Sequence, residues 1–135
     1  MHITSRFIII CREAFLTAGS NNLNLIGIFT QINADRFPFV YPQFALVVSI
    51  DVDDGGTHTM EADVIGPGGA RIARSELPLQ ARTGNMQVIA NFEQMQFAAP
   101  GTYTFRVSID GTSLGERALE VKPVIAPGPE KNNLA

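Results

Sequence analysis

The chain has 135 residues and a mass of 14.6 kDa, which is enough for one domain whose core needs no disulfide bonds. Cys11 is the only cysteine, so an intrachain disulfide is excluded and a cysteine-based zinc site is disfavoured. The net charge is −3, and no run of Lys or Arg supplies the clustered positive charge that binding to nucleic-acid phosphates requires. We therefore expect a single domain that does not bind nucleic acid.

The first predicted element is a strand over residues 5–15. Its apolar run from Phe7 to Cys11 is bulky and mostly β-branched, which suits a pleated, buried surface. The run is shorter than a signal-peptide core of about 7–15 residues and a membrane span of about 20. We therefore expect a cytoplasmic protein that does not enter a membrane. At Cys11 a small buried hydrophobic residue is favoured over a reactive thiol.

The second predicted strand covers Leu23 to Ile32, with Gly27 marking a bulge or a close approach of two backbones. Residues 33–43 contain Pro38 and Pro42, which cannot donate ladder hydrogen bonds, so this segment is predicted to be an irregular connection. From Phe44 to Val52 apolar residues recur at every second position, which is the longest clear strand pattern in the chain.

The remaining chain reads as a succession of hairpins. Glycine-rich turns at residues 54–56 and 66–69 bound predicted strands over 58–65 and 70–77. Apolar alternation resumes at Met86 and changes parity after Phe92, which predicts a bulge near residues 93–94. In the last hairpin, the alternation of Tyr103 to Ile109 precedes an Asp110-Gly111 turn, and a return strand follows.

The pattern of short strands and turns predicts an all-β protein with about eight strands and no helix of convincing length. Either a closed barrel or two packed sheets accommodates such a pattern, and we favour a two-sheet antiparallel β-sandwich that is immunoglobulin-like or related. The predicted domain covers residues 1–122. Residues 123–135 contain several prolines and a polar end, and are predicted to form a partly disordered tail.

Two resemblances support this prediction. Residues 99–103 resemble the entry to the penultimate strand of immunoglobulin-like domains, where a tyrosine hydroxyl anchors the preceding corner, although the paired cysteines and core tryptophan of antibody domains are absent. Over residues 5–122 the chain also resembles an uncharacterised family of small bacterial proteins of unknown function. The residues that carry this resemblance are Asn22–Phe29, Phe37-Pro38, Gly101–Phe105 and Asp110-Gly111. It implies a cytoplasmic, mainly β protein, with no activity to transfer.

The sequence offers only weak candidates for chemistry. Asp51, Asp53 and Asp54 are oxygen ligands of the type that calcium prefers, but a hairpin turn with a solvated face explains them better. His58 has no partner at metal-ligand spacing and is expected to be a surface residue. We therefore expect no enzymatic activity, no cofactor and no metal.

The most distinctive segment is Arg36–Pro42, where aromatic residues alternate with prolines. Phe37, Phe39 and Tyr41 are candidates for contact with a partner, since rigid aromatic side chains bury much area at little entropic cost. The alternative, that Phe37 and Phe39 plug the end of the sandwich, is favoured, and Tyr41 is expected to stay accessible.

The function that the sequence favours is a non-enzymatic protein-binding or assembly module. An edge strand or the aromatic segment would contact another protein or a second copy of the chain. The alternative is a sandwich that binds a small ligand or carbohydrate, with the help of calcium at the acidic turn.

Overall fold

The computed structural model describes residues 3–124. Within that range it contains strands and turns but no helix, so none of the described segments is a helix that could cross a membrane. The strands, in chain order, are β1 (Ile3–Leu16), β2 (Leu23–Ile28), β3 (Gln31–Ala34), β4 (Phe39–Val52), β5 (Gly56–Ile65), β6 (Arg71–Ala81), β7 (Gly84–Phe97), β8 (Gly101–Ile109) and β9 (Thr112–Pro123).

The strands form two packed sheets, which confirms the predicted β-sandwich. One sheet has the order β2-β1-β4-β7, and the other has the order β3-β9-β8-β5-β6. Strand β3 runs parallel to β9, and the other pairings of the described strands are antiparallel. The described chain thus has nine strands rather than about eight, and one parallel pair in an otherwise antiparallel fold.

The additional strand arises because the predicted strand Leu23–Ile32 divides in two. The backbone N–H of Phe29 donates to the carbonyl of Ile10 on β1, whereas the carbonyl of Thr30 accepts a hydrogen bond from Glu120 on β9. Consecutive residues therefore bond to different sheets, and the chain crosses the open side of the sandwich between them. This crossing brings β2 and β3 to one lateral side of the molecule.

The segment predicted to be irregular is mostly strand, and that prediction was wrong at both of its ends. Residues 33–34 belong to β3 and residues 39–43 to β4. Pro42 is tolerated because it lies opposite Gln94, which has a positive φ of 52° and interrupts the regular ladder of β7. At this point the residues that face the core switch from one alternate set to the other on both strands, while each residue still pairs with one residue opposite. The predicted bulge at residues 93–94 is therefore an irregularity that inserts no extra residue.

The sheet order and one corner are those of an immunoglobulin-like sandwich, as predicted. The neighbours β4-β7 and β5-β8-β9 correspond to strands B-E and C-F-G of that fold. At the start of β8 the Tyr103 hydroxyl donates to the carbonyl of Ala99 at 2.6 Å. This is the predicted tyrosine corner, and it fixes the connection that passes from one sheet to the other.

The core between the sheets is built around aromatic rings. Phe44 is fully buried, stacks on Phe92 with ring centroids 5.1 Å apart, and meets Phe105 edge-on at 5.9 Å. Offset-stacked and edge-to-face contacts of this kind add to the stabilisation from burial alone. Because Phe44 also contacts Tyr41, the rings of the core continue towards the surface at the β2–β3 side.

A second apolar cluster lies on the opposite face of the four-stranded sheet. Cys11, Ala45 and Val47 are buried there under the distal part of the β1–β2 hairpin, which contributes Leu23 and Leu25. Burial raises the pKa of the Cys11 thiol, while a hydrogen bond to the Glu13 carbonyl partly opposes that rise. Cys11 is therefore the small buried hydrophobic residue that the sequence predicted.

The turns agree with the sequence prediction. Asp110 and Gly111 both have positive φ, 49° and 83°, as the two-residue turn of a tight hairpin requires. Strand β9 continues to Pro123, and the N–H of Val124 donates to the carbonyl of Ala34. The tail prediction for residues 125–135 lies outside the described residues.

Candidate functional site

The most distinctive surface feature is a groove of about 330 Å³ where the chain crosses from β2 to β3, which we name the aromatic groove. Its walls combine aromatic rings, aliphatic side chains, amides and one guanidinium group. The residues that line it are Arg12, Gly27, Ile28, Phe29, Gln31, Ile32, Asn33, Phe39 and Tyr41. None of these side chains is a carboxylate, a thiol or an imidazole.

The aromatic wall of the groove rests on the hydrophobic core. Tyr41 stacks on Phe29 with centroids 5.4 Å apart and meets Phe39 edge-on at 6.2 Å. Its other edge contacts the buried Phe44 at 5.6 Å. The three rings therefore hold one another in place against the core.

The structure brings together two of the three aromatic residues that the sequence singled out. Phe39 and Tyr41 line the groove, are half-buried and pack against the core. Phe37 also packs against the core but does not line the groove. Phe37 and Phe39 thus pack against the core, as the interpretation of a plug at the end of the sandwich requires. Phe39 and Tyr41 also have a side that faces the groove.

One further groove residue, Arg12, was not identified from the sequence, because its importance depends on strand register. Arg12 lies opposite Gly27 in the β1–β2 pair, and the stem of its side chain lies across the glycine. A Cβ at Gly27 would come within 2.8 Å of the Arg12 Cδ, and the φ of +70° at this glycine also disfavours any other residue. The nearest atoms to this position belong to the Arg12 side chain rather than to a second backbone, so Gly27 makes room for the Arg12 stem and not for the predicted approach of two backbones.

Arg12 also borders a second depression, of about 380 Å³, lined by Arg12, Glu13, Ile26 and Gln43. Strand β2 separates the two depressions and carries unusually exposed apolar side chains. Ile26 is 49% exposed and Ile28 is 58% exposed. Since β2 is also an edge strand, this side of the molecule offers free backbone groups together with apolar side chains.

The acidic turn is used for structural contacts. Both carboxylate oxygens of Asp51 accept hydrogen bonds from the Arg6 Nε, at 3.0 and 2.8 Å, and Asn85 donates to the same carboxylate. The Arg6 hydrogen bond is the main reason why the pKa of Asp51 is lowered. Asp53 and Asp54 are exposed, and within residues 3–124 no cluster of three or more potential metal ligands occurs.

His58 is not the surface residue that the sequence led us to expect. Only 10% of its side chain is exposed, and its Nδ1 lies 2.7 Å from the carboxylate of Asp110 in the β8–β9 turn. This hydrogen bond raises the pKa of His58 and lowers the pKa of Asp110, although burial partly opposes the rise at His58. The pair ties the start of β5 to the last hairpin and lies apart from the aromatic groove.

Comparison with known proteins assigns the chain to a family. The model of a family of unknown function, DUF6941, matches residues 6–122. The chain belongs to this family. The match covers nearly the whole described structure and confirms the resemblance to an uncharacterised family that the sequence motifs indicated. None of the curated proteins is significantly similar in sequence.

Two solved structures are similar in shape at low sequence identity. One is an immunoglobulin-like protein from Pseudomonas aeruginosa, which is 14% identical with a TM-score of 0.45; the match covers 90% of this chain and 98% of that one. The other is the alkylpurine DNA glycosylase AlkC from Pseudomonas fluorescens, bound to DNA containing an abasic site analogue. It is 12% identical with a TM-score of 0.47, and the match covers 85% of this chain but 30% of the glycosylase.

Proposed function

We propose that this DUF6941 protein is a non-enzymatic protein-binding module that recognises an extended peptide segment at β2 and the aromatic groove. The observation that carries this proposal is the exposure of Ile26 and Ile28 on a free edge strand directly beside a preorganised aromatic wall. Single exposed apolar side chains are common, but exposed apolar side chains grouped beside an aromatic surface often mark a site that a partner covers.

The free edge of β2 favours a peptide ligand with an extended backbone. A peptide that adds to a sheet edge satisfies its backbone hydrogen bonds there, and its alternate side chains enter the depressions on either side of the strand. On this molecule, Ile28 and Tyr41 offer apolar contacts on one side of β2, and Ile26 lies on the other. The partner segment therefore carries apolar residues at alternate positions.

The position of Arg12 favours a peptide segment that carries an acidic residue. Its side chain lines both depressions, and it makes no ion pair with any residue between 3 and 124. A guanidinium group binds a carboxylate through paired, charge-assisted hydrogen bonds, and this contact is stronger where apolar neighbours exclude water. The groove thus favours a carboxylate between the apolar residues of the peptide.

The proposal is tested by fluorescence polarisation with a short labelled peptide that alternates leucine and serine around a central aspartate. We expect the wild-type protein to bind this peptide and to reject the same peptide with a central lysine. Arg12→Gln and Ile28→Ser should each weaken binding by about tenfold, through loss of a charge-assisted hydrogen bond and of apolar burial respectively.

Ile72→Ser is the matched control, because Ile72 is a similarly exposed isoleucine on β6, at the other side of the molecule. Its binding should equal that of the wild type. Equal binding of the aspartate and lysine peptides, or unchanged binding in the Arg12 and Ile28 variants with their far-ultraviolet circular dichroism intact, would refute the proposed recognition.

A further inference from the structure

The sheet order leaves strand β7 with one unpaired edge. It is 14 residues long, pairs with β4 on one side, and ends the four-stranded sheet on the other. A strand in this position presents a row of free N–H and C=O groups, which soluble proteins usually protect against pairing with another chain.

Two of the other edge strands of the described structure, β6 and β3, carry such protection. Strand β6 has Pro78 within it, and Arg74 forms ion pairs with Glu61 at 3.1 Å and with Asp63 at 2.9 Å. Strand β3 has only four residues, and the six-residue β2 is the edge proposed above to receive the peptide. Short strands, charges, prolines and distortions are the usual means of blocking an edge.

Strand β7 lacks these features over most of its length. Its sequence contains no proline, lysine or arginine, and Glu93 is its only charged residue. The strand is regular from Asn85 to Glu93 and is interrupted by the positive φ of Gln94. The regular, nearly uncharged segment therefore measures nine residues, from 85 to 93, which is longer than the whole of β2.

This segment is complementary to a second copy of itself. If two β7 strands pair antiparallel about a two-fold axis at Ile89, Gln87 faces Asn91 and Glu93 faces the neutral Asn85 on the outer side. On the inner side Val88 faces Ala90, and Met86 faces Phe92. Both faces of the pair are thus matched in polarity, and no two like charges lie opposite each other.

We propose that the chain forms a symmetric dimer by antiparallel pairing of β7 with β7 of a second copy, centred on Ile89. The pairing joins two four-stranded sheets into one continuous sheet and removes the unprotected edge from each copy. It leaves β2 and the aromatic groove free on the far side of each copy, so the assembly is bivalent for the proposed peptide.

The test is sedimentation velocity over a range of concentrations, with a pair of oppositely charged double variants. In Gln87→Lys/Asn91→Lys each introduced lysine faces one lysine of the partner, so the dimer contains two lysine–lysine pairs, and in Gln87→Glu/Asn91→Glu glutamates face each other in the same way. Like charges on directly opposed strands are unfavourable, so each double variant should raise the dimer dissociation constant by about tenfold. An equimolar mixture of the two should dimerise as well as the wild type, because lysine then faces glutamate.

Ile72→Lys places a lysine on the protected β6 edge and should leave the dimer unchanged. Circular dichroism checks that every variant is folded. A wild-type protein that stays monomeric up to millimolar concentration would overturn the proposal, and so would a dimer that the charged variants do not weaken or a mixture that fails to recover. The Arg12→Gln and Ile28→Ser variants should still dimerise, so the outcomes for the dimer and for peptide binding are independent.

Discussion

His58 and Asp110 give the molecule a residue-scale dependence on pH. Asp110 also accepts a hydrogen bond from the Thr59 N–H at 2.9 Å, so its carboxylate holds both the side chain and the backbone at the start of β5. The hydrogen bond to Asp110 raises the pKa of His58 above the ordinary 6.5. The stabilisation from His58 is therefore complete below pH 6.5 and is lost as the pH rises through the raised pKa.

The pKa of Asp110 is shifted in the opposite direction. It lies below the ordinary 3.8, so the stabilisation from its carboxylate is present above that pH and is lost as the pH falls. We predict that thermal stability falls between mildly acidic and mildly alkaline pH, and that Asp110→Asn removes most of this fall. An NMR titration of His58 with a midpoint at or below 6.5 would contradict the assignment.

At the same scale, the sequence singled out aromatic candidates but not the charged residue that lies beside them in the groove. Phe39 and Tyr41 were identified because aromatic residues between prolines are distinctive in any register. Arg12 was not, because its importance depends on the glycine that faces it on the neighbouring strand. His58 was misjudged for a similar reason, since its partner Asp110 lies 52 residues away in the sequence.

At the scale of single elements, we expect Gly27 in the β1–β2 hairpin to affect both the stability of the fold and the proposed peptide binding. Gly27→Ala must adopt a left-handed φ and displace the Arg12 stem, so we predict a loss of about 1–2 kcal/mol in the free energy of unfolding. The same variant should bind the aspartate peptide more weakly, because Arg12 no longer lies across β2.

Gly68→Ala is the matched control for this prediction. Gly68 has open space around its Cα and no left-handed φ, so the substitution should leave both unfolding and binding nearly unchanged. Chemical denaturation measures the first quantity and fluorescence polarisation the second. If Gly27→Ala behaves like Gly68→Ala, the contact between Arg12 and Gly27 does not position the guanidinium group.

The strand boundaries show which features of the fold local sequence patterns can predict. The alternation of Phe44 to Val52 and of Tyr103 to Ile109 predicted two central strands correctly, because each has one face in the core. The division between β2 and β3 was missed, since it depends on which sheet accepts the backbone hydrogen bonds of Phe29 and Thr30. The prediction that residues 33–43 are irregular gave too much weight to the prolines. Pro42 is compatible with strand β4 because the residue opposite it on β7 interrupts the regular ladder of hydrogen bonds.

At the scale of the whole molecule, apolar alternation was sufficient to predict the all-β class but left a closed barrel and two packed sheets as alternatives. The tyrosine corner then distinguished an immunoglobulin-like sandwich from a closed barrel. The location of the candidate site could not be predicted in this way. It is formed where the chain crosses between sheets, and it combines residues from β1, β2, β3 and β4.

The fold thus has two different edges on opposite sides of one sheet, β2, which we propose binds a peptide, and β7, which we propose pairs with a second copy. Aromatic contacts connect the buried core at Phe44 to the groove at Tyr41 and Phe29. The core therefore directly supports the surface that we propose for recognition.

The most direct test of this account is an NMR titration of the isotope-labelled protein with the aspartate-centred peptide. We predict that backbone amide shifts change at β2, at β3 and around Tyr41, while those of β6 and the β8–β9 turn stay unchanged. Shift changes centred on another surface, or no change at saturating peptide concentration, would contradict the central claim that β2 and the aromatic groove form the recognition site.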